Sequence, residues 1–240
     1  MTATTTRRPR STAPSLRTER QILREGATAL ACLDEVGRGA LCGPVTIGAV
    51  VVTAESKPAP VGVRDSKLLS AAARVELVPR IQRWAAAWSV GHASPAEIDE
   101  YGIIAALRLA GQRALDALAI RPDAVLLDGN HDYLSPPAQG TLFDDGPLLP
   151  EPVCEVPPVR TLIKADMTCA AVAAASVLAK TTRDAMLLDL AVTHPEYGWQ
   201  ENKGYASAEH VEALRQFGPT AHHRRSWRLP GVDEPVIAAL

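Results

Sequence analysis

The chain has 240 residues, 47% of them hydrophobic, and its 25 Lys and Arg against 27 Asp and Glu leave a formal charge of −2. That length and apolar content suit one sizeable α/β core with short tails rather than two small domains. With so little net charge, a grip on nucleic acid through overall basicity is excluded, and any such grip must come from local basic clusters.

Residues 1–20 are rich in Thr, Ser, Pro and Arg and poor in large apolar side chains, so a disordered basic tail is expected there. Solvation explains its arginines most simply; contact with phosphates and an organellar transit peptide are the other readings. Arg7-Arg8 lacks the apolar run that export requires. Next, "ALACLDEV" and "PVTIGAVVVTA" read as two adjacent strands joined by a glycine-containing link. From Ser70 to Ala87, the residues Val75, Leu77, Val78, Ile81 and Trp84 recur at helical spacing, and "WSVGHA" follows as a short strand. Ser94-Pro95-Ala96-Glu97 is a capping box with proline at the first helical position, opening a helical region that restarts near Ile103 and runs to Leu118.

"DAVLLDG" at 123–129 reads as a buried strand with Asp128 at its carboxyl end. Residues 131–158 hold seven prolines, two glycines and five acidic residues without periodicity, which predicts a long, exposed, mobile loop. A short strand near Val159–Ile163, an alanine-rich helix from about Thr168 to Val192, and a helix in "SAEHVEALRQFG" stopped by Gly218 complete the chain, with 229–240 as a tail. Cys32, Cys42, Cys154 and Cys169 form no CxxC pair and no zinc spacing with histidine, so a reduced, cytoplasmic setting is expected. The longest small or apolar run, Cys169 to Ala179, contains Ser176 and falls short of a membrane span, so no membrane association is expected.

Asp34 and Glu35 at the end of an apolar strand, followed by Gly37-Arg38-Gly39, form the most informative segment. Neighbouring carboxylates in apolar surroundings repel and resist ionisation unless a cation compensates them. An all-oxygen set points to Mg²⁺ or Mn²⁺ rather than zinc. Successive strand residues face opposite sides, so for both to serve one site the strand has to break alternation near Gly37; the other reading leaves Glu35 in solvent. By itself Asp128 of Asp-Gly-Asn is a turn former, and Asp166 of Lys-Ala-Asp is a charge favoured at a helix start. Together, carboxylates at strand ends and a helix start can converge on one rim of a sheet, which suggests a two-metal site.

"LDEVGRGALCGPV" at 33–45, "DSKLLS" at 65–70, "LLDGN" at 126–130, "KADMTCAAVAAASVLAKTTRD" at 164–184, "NKGYASAEH" at 202–210 and "HHRRSW" at 222–227 resemble, in order, the signature blocks of bacterial ribonuclease HII. The resemblance spans roughly residues 29 to 228. It implies a ribonuclease H-like fold, a mixed five-stranded sheet flanked by helices with a helical C-terminal region at about 193–228, in a catalytic domain of residues 21–228. It implies Asp34, Glu35, Asp128 and Asp166 as ligands of two divalent ions, and Gly37, Arg38, Gly39 and Tyr205 as readers of the ribose 2′-hydroxyl and its sugar. Lys67 and Lys164 are candidate phosphate contacts, and Arg224 and Arg225 of the acid-free stretch 215–228 are candidates for following the DNA backbone. Ser176, Lys180 and Asp184 share a helical face but stay outside the catalytic set. The 131–158 loop is longer than the family pattern.

The activity implied is hydrolysis on the 5′ side of ribonucleotides embedded in duplex DNA and in RNA–DNA hybrids by a monomer, leaving 3′-hydroxyl and 5′-phosphate ends. A nucleic-acid-binding module without catalysis, or another metal-dependent phosphohydrolase, would be the alternatives. Against the latter, the chain lacks a DxD nucleophile motif, and its basic 222–228 cluster favours a polymer.

Overall fold

The structure, a computed structural model, describes residues 13–136 and 150–232. Five strands, β1 (Leu30–Val36), β2 (Val45–Val52), β3 (Ala87–Ala93), β4 (Ala124–Asp128) and β5 (Val159–Leu162), form one sheet in the order β3-β2-β1-β4-β5. β1 pairs antiparallel with β2 and β2 with β3, whereas β4 lies parallel to β1 and β5 parallel to β4. The sheet is therefore mixed, as the family resemblance implied. Strands β1 and β2 are apolar almost throughout because both faces are covered.

On one face lies α3 (Pro95–Asp116), on the other α5 (Ala170–Thr193) with α2 (Ala71–Trp84) behind it. Alternation divides β1 between two cores: Leu30 and Cys32 join the α5 side, and Ala31 and Leu33 the α3 side. The alanine run at 170–179 is buried throughout, and its small side chains let α5 sit very close to β2. A Cβ on Gly48 would stand 2.2 Å from the carbonyl oxygen of Ala175, so glycine is required at that contact. The Ser94 capping box forms as expected: Glu97 accepts the Ser94 amide at 2.8 Å and Ser94 Oγ accepts the Glu97 amide at 3.2 Å. Gly102, at φ +77°, interrupts α3 where the periodicity restarts.

A third cluster, built on Leu41, Cys42, Tyr197, Trp199 and Leu214, joins the C-terminal segments α6 (Trp199–Asn202) and α7 (Ala208–Phe217) to the body. Two composition-based expectations need correction. Residues 13–20 are not a free tail: Ser15 bridges to Cys169, Leu16 and Glu19 are buried, and Arg17–Arg24 form helix α1. Both ends of the 131–158 segment pack inward, with Tyr133 and Leu134 buried and Cys154 and Val156 against the α3-side core. Arg7, Arg8 and Arg10, the centre of the proline-rich loop (137–149), and the end of the chain (233–240) lie outside the described residues. Among the described residues no helix is long and apolar enough to cross a membrane.

Candidate active site

Because β1 and β4 are parallel, their carboxyl ends finish side by side: Leu33 is level with Leu127, which sets Asp34 beside Asp128. Asp128 Oδ1 accepts the amides of Ala165 at 2.6 Å and Asp166 at 3.4 Å, so the turn α4 (Ala165–Thr168) is held against the end of β4. Lys164, in the left-handed region at φ +58°, makes the sharp change of direction from β5 into that turn. Asp34, Asp128 and Asp166 thus share one rim of the sheet.

Glu35 reaches the rim differently from the expectation. Pairing continues regularly through Glu35–Ile47 and Val36–Thr46, so β1 does not break alternation before Gly37. Asp34 follows Cys32 toward the α5 side and Glu35 follows Leu33 toward the α3 side, where Tyr133 lies. From there Glu35 is still coupled to the rim, since burial and the charge of Asp128 both raise its proton affinity, with Arg38 Nη1 at 3.9 Å opposing them.

The electrostatics of the rim are those of crowded, desolvated acids. Asp34 is 4% exposed; burial, then Glu35 and Asp128, push its carboxyl well above the usual range, while a hydrogen bond with Ser176 works the other way. Ser176 Oγ lies 2.7 Å from Ser66 Oγ, which links this support to the "DSK" turn. Burial, Asp128 and Asp65 likewise raise Asp166, and Lys67, whose Nζ is 3.8 Å from Asp166 Oδ2, opposes them. Burial works against the Lys67 charge, yet Asp65, Asp34 and Asp166 raise its pKa overall.

Two buried atoms beside the rim, Glu35 Oε2 and the Tyr133 hydroxyl, have no hydrogen-bond partner among the described residues. Among those residues, no three Asp, Glu, His or Cys side chains are gathered tightly enough to enclose an ion as they stand. The donor chemistry nevertheless fits a hard divalent cation: all ligands would be carboxylate oxygens, Arg38 and Lys67 offset their repulsion only in part, and one carboxylate oxygen is orphaned.

Beyond the rim, Gly37 at φ +85° starts the turn to Arg38 and Gly39, both exposed. Tyr205 is 37% exposed and is docked beside this turn, since the preceding Gly204 carbonyl accepts the amides of Leu41 at 2.8 Å and Cys42 at 3.2 Å. Lys164 and Arg225 are exposed, as phosphate contacts require. Arg224 is not: it is 0% exposed, and its guanidinium donates to the carbonyls of Gly37 at 2.5 Å and Arg38 at 2.9 Å. The expectation that Arg224 follows the DNA backbone is corrected to a role behind the turn, because in "HHRRSW" the chain turns one arginine inward and the next outward. Tyr133, Ser66 and Arg183 were not foreseen. Only Ser176 had a sequence signal, its place on the Lys180–Asp184 face of α5, where those two form an ion pair at 2.6 Å.

The ribonuclease HII family model matches residues 31–229 of the chain. Ribonuclease HII of Streptomyces coelicolor is 50% identical over 202 residues, covering 84% of this chain and 78% of that protein. The Streptomyces avermitilis ribonuclease HII is 48% identical over the same length and coverage. Among solved structures, the ribonuclease H2 of Pyrococcus horikoshii superimposes with a TM-score of 0.64 at 25% identity, covering 85% of this chain and 95% of that one.

Proposed function

The chain belongs to the ribonuclease HII family of divalent-metal-dependent endoribonucleases that act on RNA–DNA hybrids, and from that premise we propose that it cuts duplex DNA on the 5′ side of embedded ribonucleotides. The observation carrying this reading is Asp34, at the end of β1 beside Asp128, with its proton affinity raised first by burial and then by its acidic neighbours. The non-catalytic alternative does not survive the family assignment.

In this reading Asp34, Glu35, Asp128 and Asp166 hold two ions, Mg²⁺ or Mn²⁺. When bound, such ions supply an activated water for in-line attack and stabilise the departing 3′ oxygen. The chain's own side chains bind and orient. Lys67, largely exposed next to Asp166, meets the phosphate beside the scissile bond. Gly37, Arg38 and Gly39 form the turn whose outward amides, those of Arg38 and Gly39, donate to a 2′-hydroxyl, which can both give and accept a hydrogen bond. Tyr205 packs against the sugar at the junction, and Lys164 and Arg225 follow the flanking phosphates. No protein nucleophile takes part: with water forming the new bond to phosphorus and the P–O3′ bond breaking, the products would carry 3′-hydroxyl and 5′-phosphate ends. The cellular role that follows is removal of ribonucleotides from DNA in the cytoplasm.

The test is a comparison of three duplexes: one with a single ribonucleotide, a long RNA–DNA hybrid and an all-DNA control. Cleavage 5′ to the lone ribonucleotide is expected, with the control intact. Efficient cutting of the hybrid alone would remove the junction-reading role of Gly37–Gly39 and Tyr205.

A further inference from the structure

Two arginines lie buried behind the Gly37–Gly39 turn, and all of their hydrogen bonds go to backbone carbonyls. Arg183, on α5, donates through Nε to Pro44 at 2.9 Å, through Nη1 to Lys203 at 2.9 Å and through Nη2 to Cys42 at 2.8 Å. Arg224 binds the carbonyls of Gly37, Arg38 and Gly43, and its guanidinium stacks 4.7 Å from the Trp227 ring centroid. Both are 0% exposed, and neither has a carboxylate within ion-pair distance among the described residues.

Such an arrangement is costly as a purely structural device, because buried charge is normally paired with opposite charge. Its geometry has a definite consequence. In a planar trans peptide the C=O and the following N–H point in opposite directions. With the carbonyls of Gly37 and Arg38 drawn inward to Arg224, the amides of Arg38 and Gly39 are turned outward. Neither amide has an acceptor among the described residues. Beneath them stand two positive charges without a formal counterion, a setting that favours an anionic backbone on the outer side. Arg183 also faces the Tyr205 ring, 5.4 Å from its centroid, and its bond to Lys203 fixes the segment that leads into Tyr205.

We propose that Arg183 and Arg224 are positioning residues for ribose recognition: by holding the carbonyls of 37, 38 and 42–44 inward, they aim the Arg38 and Gly39 amides and the Tyr205 ring at the ribonucleotide. The planar fork is essential, since a lysine keeps the charge but cannot bind two or three carbonyls in fixed directions. This inference rests on the proposed reading of embedded ribonucleotides.

The test measures dissociation constants, in Mg²⁺, of chains carrying Asp34→Asn to stop turnover, for a duplex with one ribonucleotide and for the same all-DNA duplex. With Arg183 and Arg224 intact, the ribonucleotide should tighten binding. Arg183→Lys or Arg224→Lys should reduce that preference roughly tenfold, the value of one or two directed hydrogen bonds, while all-DNA affinity changes by less than about twofold. An unchanged preference, or equal weakening for both duplexes, overturns the proposal. Because a lysine at either buried site also perturbs the fold, amide hydrogen exchange on the unsubstituted chain gives a second reading. Arg38 and Gly39 amides should exchange fast when free and be protected by the ribonucleotide duplex but not by all-DNA; equal protection in both overturns the proposal. If the unsubstituted chain shows no ribonucleotide preference, the parent reading fails, and this inference with it.

Discussion

Asp128 Oδ1 accepts the amide of Ala165 at 2.6 Å, and this bond ties the end of β4 to the turn that carries Asp166. Asp128 thus has two separable jobs, a charge toward the rim and an acceptor toward the backbone. Asp128→Asn keeps an oxygen acceptor and removes the charge; it should fold with undiminished thermal stability while losing at least about a hundredfold in cleavage rate, of the order of an electrostatic contact to the reacting centre. Asp128→Ala should lose the same activity and also about 1–2 kcal/mol of stability, the cost of an orphaned amide. Equal stability of the two variants in denaturant titrations would deny the backbone role.

The raised proton affinities of Asp34, Glu35 and Asp166 carry a stability consequence. A carboxyl whose folded pKa lies above its unfolded value favours the fold at pH below the usual carboxylate range, and that contribution is lost as pH rises toward the folded value. Metal-free protein is therefore under strain at neutral pH, and Mg²⁺ or Mn²⁺ should raise Tm there. Asp34→Asn should raise the metal-free Tm and shrink the metal-induced increment. A calorimetric scan with equal increments in both proteins would contradict this.

Gly37 and Gly39 should respond differently to alanine. At Gly37, φ is +85° and a Cβ would stand 2.2 Å from Arg183 Nε and 2.8 Å from the Pro44 oxygen, so Gly37→Ala should cost roughly 2 kcal/mol or more. At Gly39 a Cβ meets nothing within 4 Å, so Gly39→Ala should stay within about 0.5 kcal/mol of the native stability. Its methyl would nonetheless stand on the exposed face offered to the substrate, and cleavage at a single ribonucleotide should fall. Full activity of Gly39→Ala would mean that the substrate does not approach that face.

Glu19 is buried on α1, accepts the Ala171 amide at the start of α5 at 2.9 Å, and leaves Oε2 unpartnered. Burial raises its pKa from 4.5 to about 6. Its contribution to stability is therefore full below about pH 4.5 and is lost as pH rises through about 6. Glu19→Gln keeps a carbonyl acceptor and cannot ionise, so it should gain up to roughly 2 kcal/mol over the native chain above pH 6 and none below pH 4.5. Parallel stability curves across that range would show that Glu19 does not titrate between the two states.

His210 and His223 form a buried chain in which Nε2 meets Nε2 at 3.0 Å. His210 Nδ1 is 2.9 Å from the Tyr205 carbonyl and must donate there, so its Nε2 accepts from Trp199 and His223. His223 Nδ1 then accepts the Thr220 amide at 3.0 Å, and neither ring has a free nitrogen for a second proton. Burial, with His210, His222, Arg225 and His194 around it, lowers the His223 pKa from 6.5 to about 3. A histidine held neutral stabilises the fold above its unfolded pKa, and that support is lost as pH falls below 6.5 toward 3. Relative to a His223→Gln variant, the native chain should therefore lose roughly 2 kcal/mol of stability between pH 6.5 and 5, the equivalent of a single proton, while the acids of raised pKa act alike in both. A native chain and a His223→Gln variant with the same dependence below pH 6.5 would contradict this.

The strand and helix order was legible because each element carries its own local signal: apolar runs for β1 and β2, the Ser94 capping box for α3, and the alanine run for α5. Compositional bias misled where it was read as disorder, since Leu16, Glu19, Tyr133 and Leu134 are few among polar or proline-rich neighbours, yet are the residues that anchor those segments. The strand ends that carry Asp34 and Asp128 and the helix start that carries Asp166 were legible locally, while their grouping with Glu35 as one site came from the joint pattern and the family resemblance. What only the tertiary structure decided is how those residues face one another. Regular pairing through Val36 brings Glu35 to the rim from the opposite side of the sheet, and Arg224 turns inward to hold the turn that Arg225 leaves exposed. Periodicity reports which residues prefer burial; the partner that a buried charge finds is set by contacts nearly two hundred residues apart, as between Arg224 and Gly37, and no local pattern encodes them.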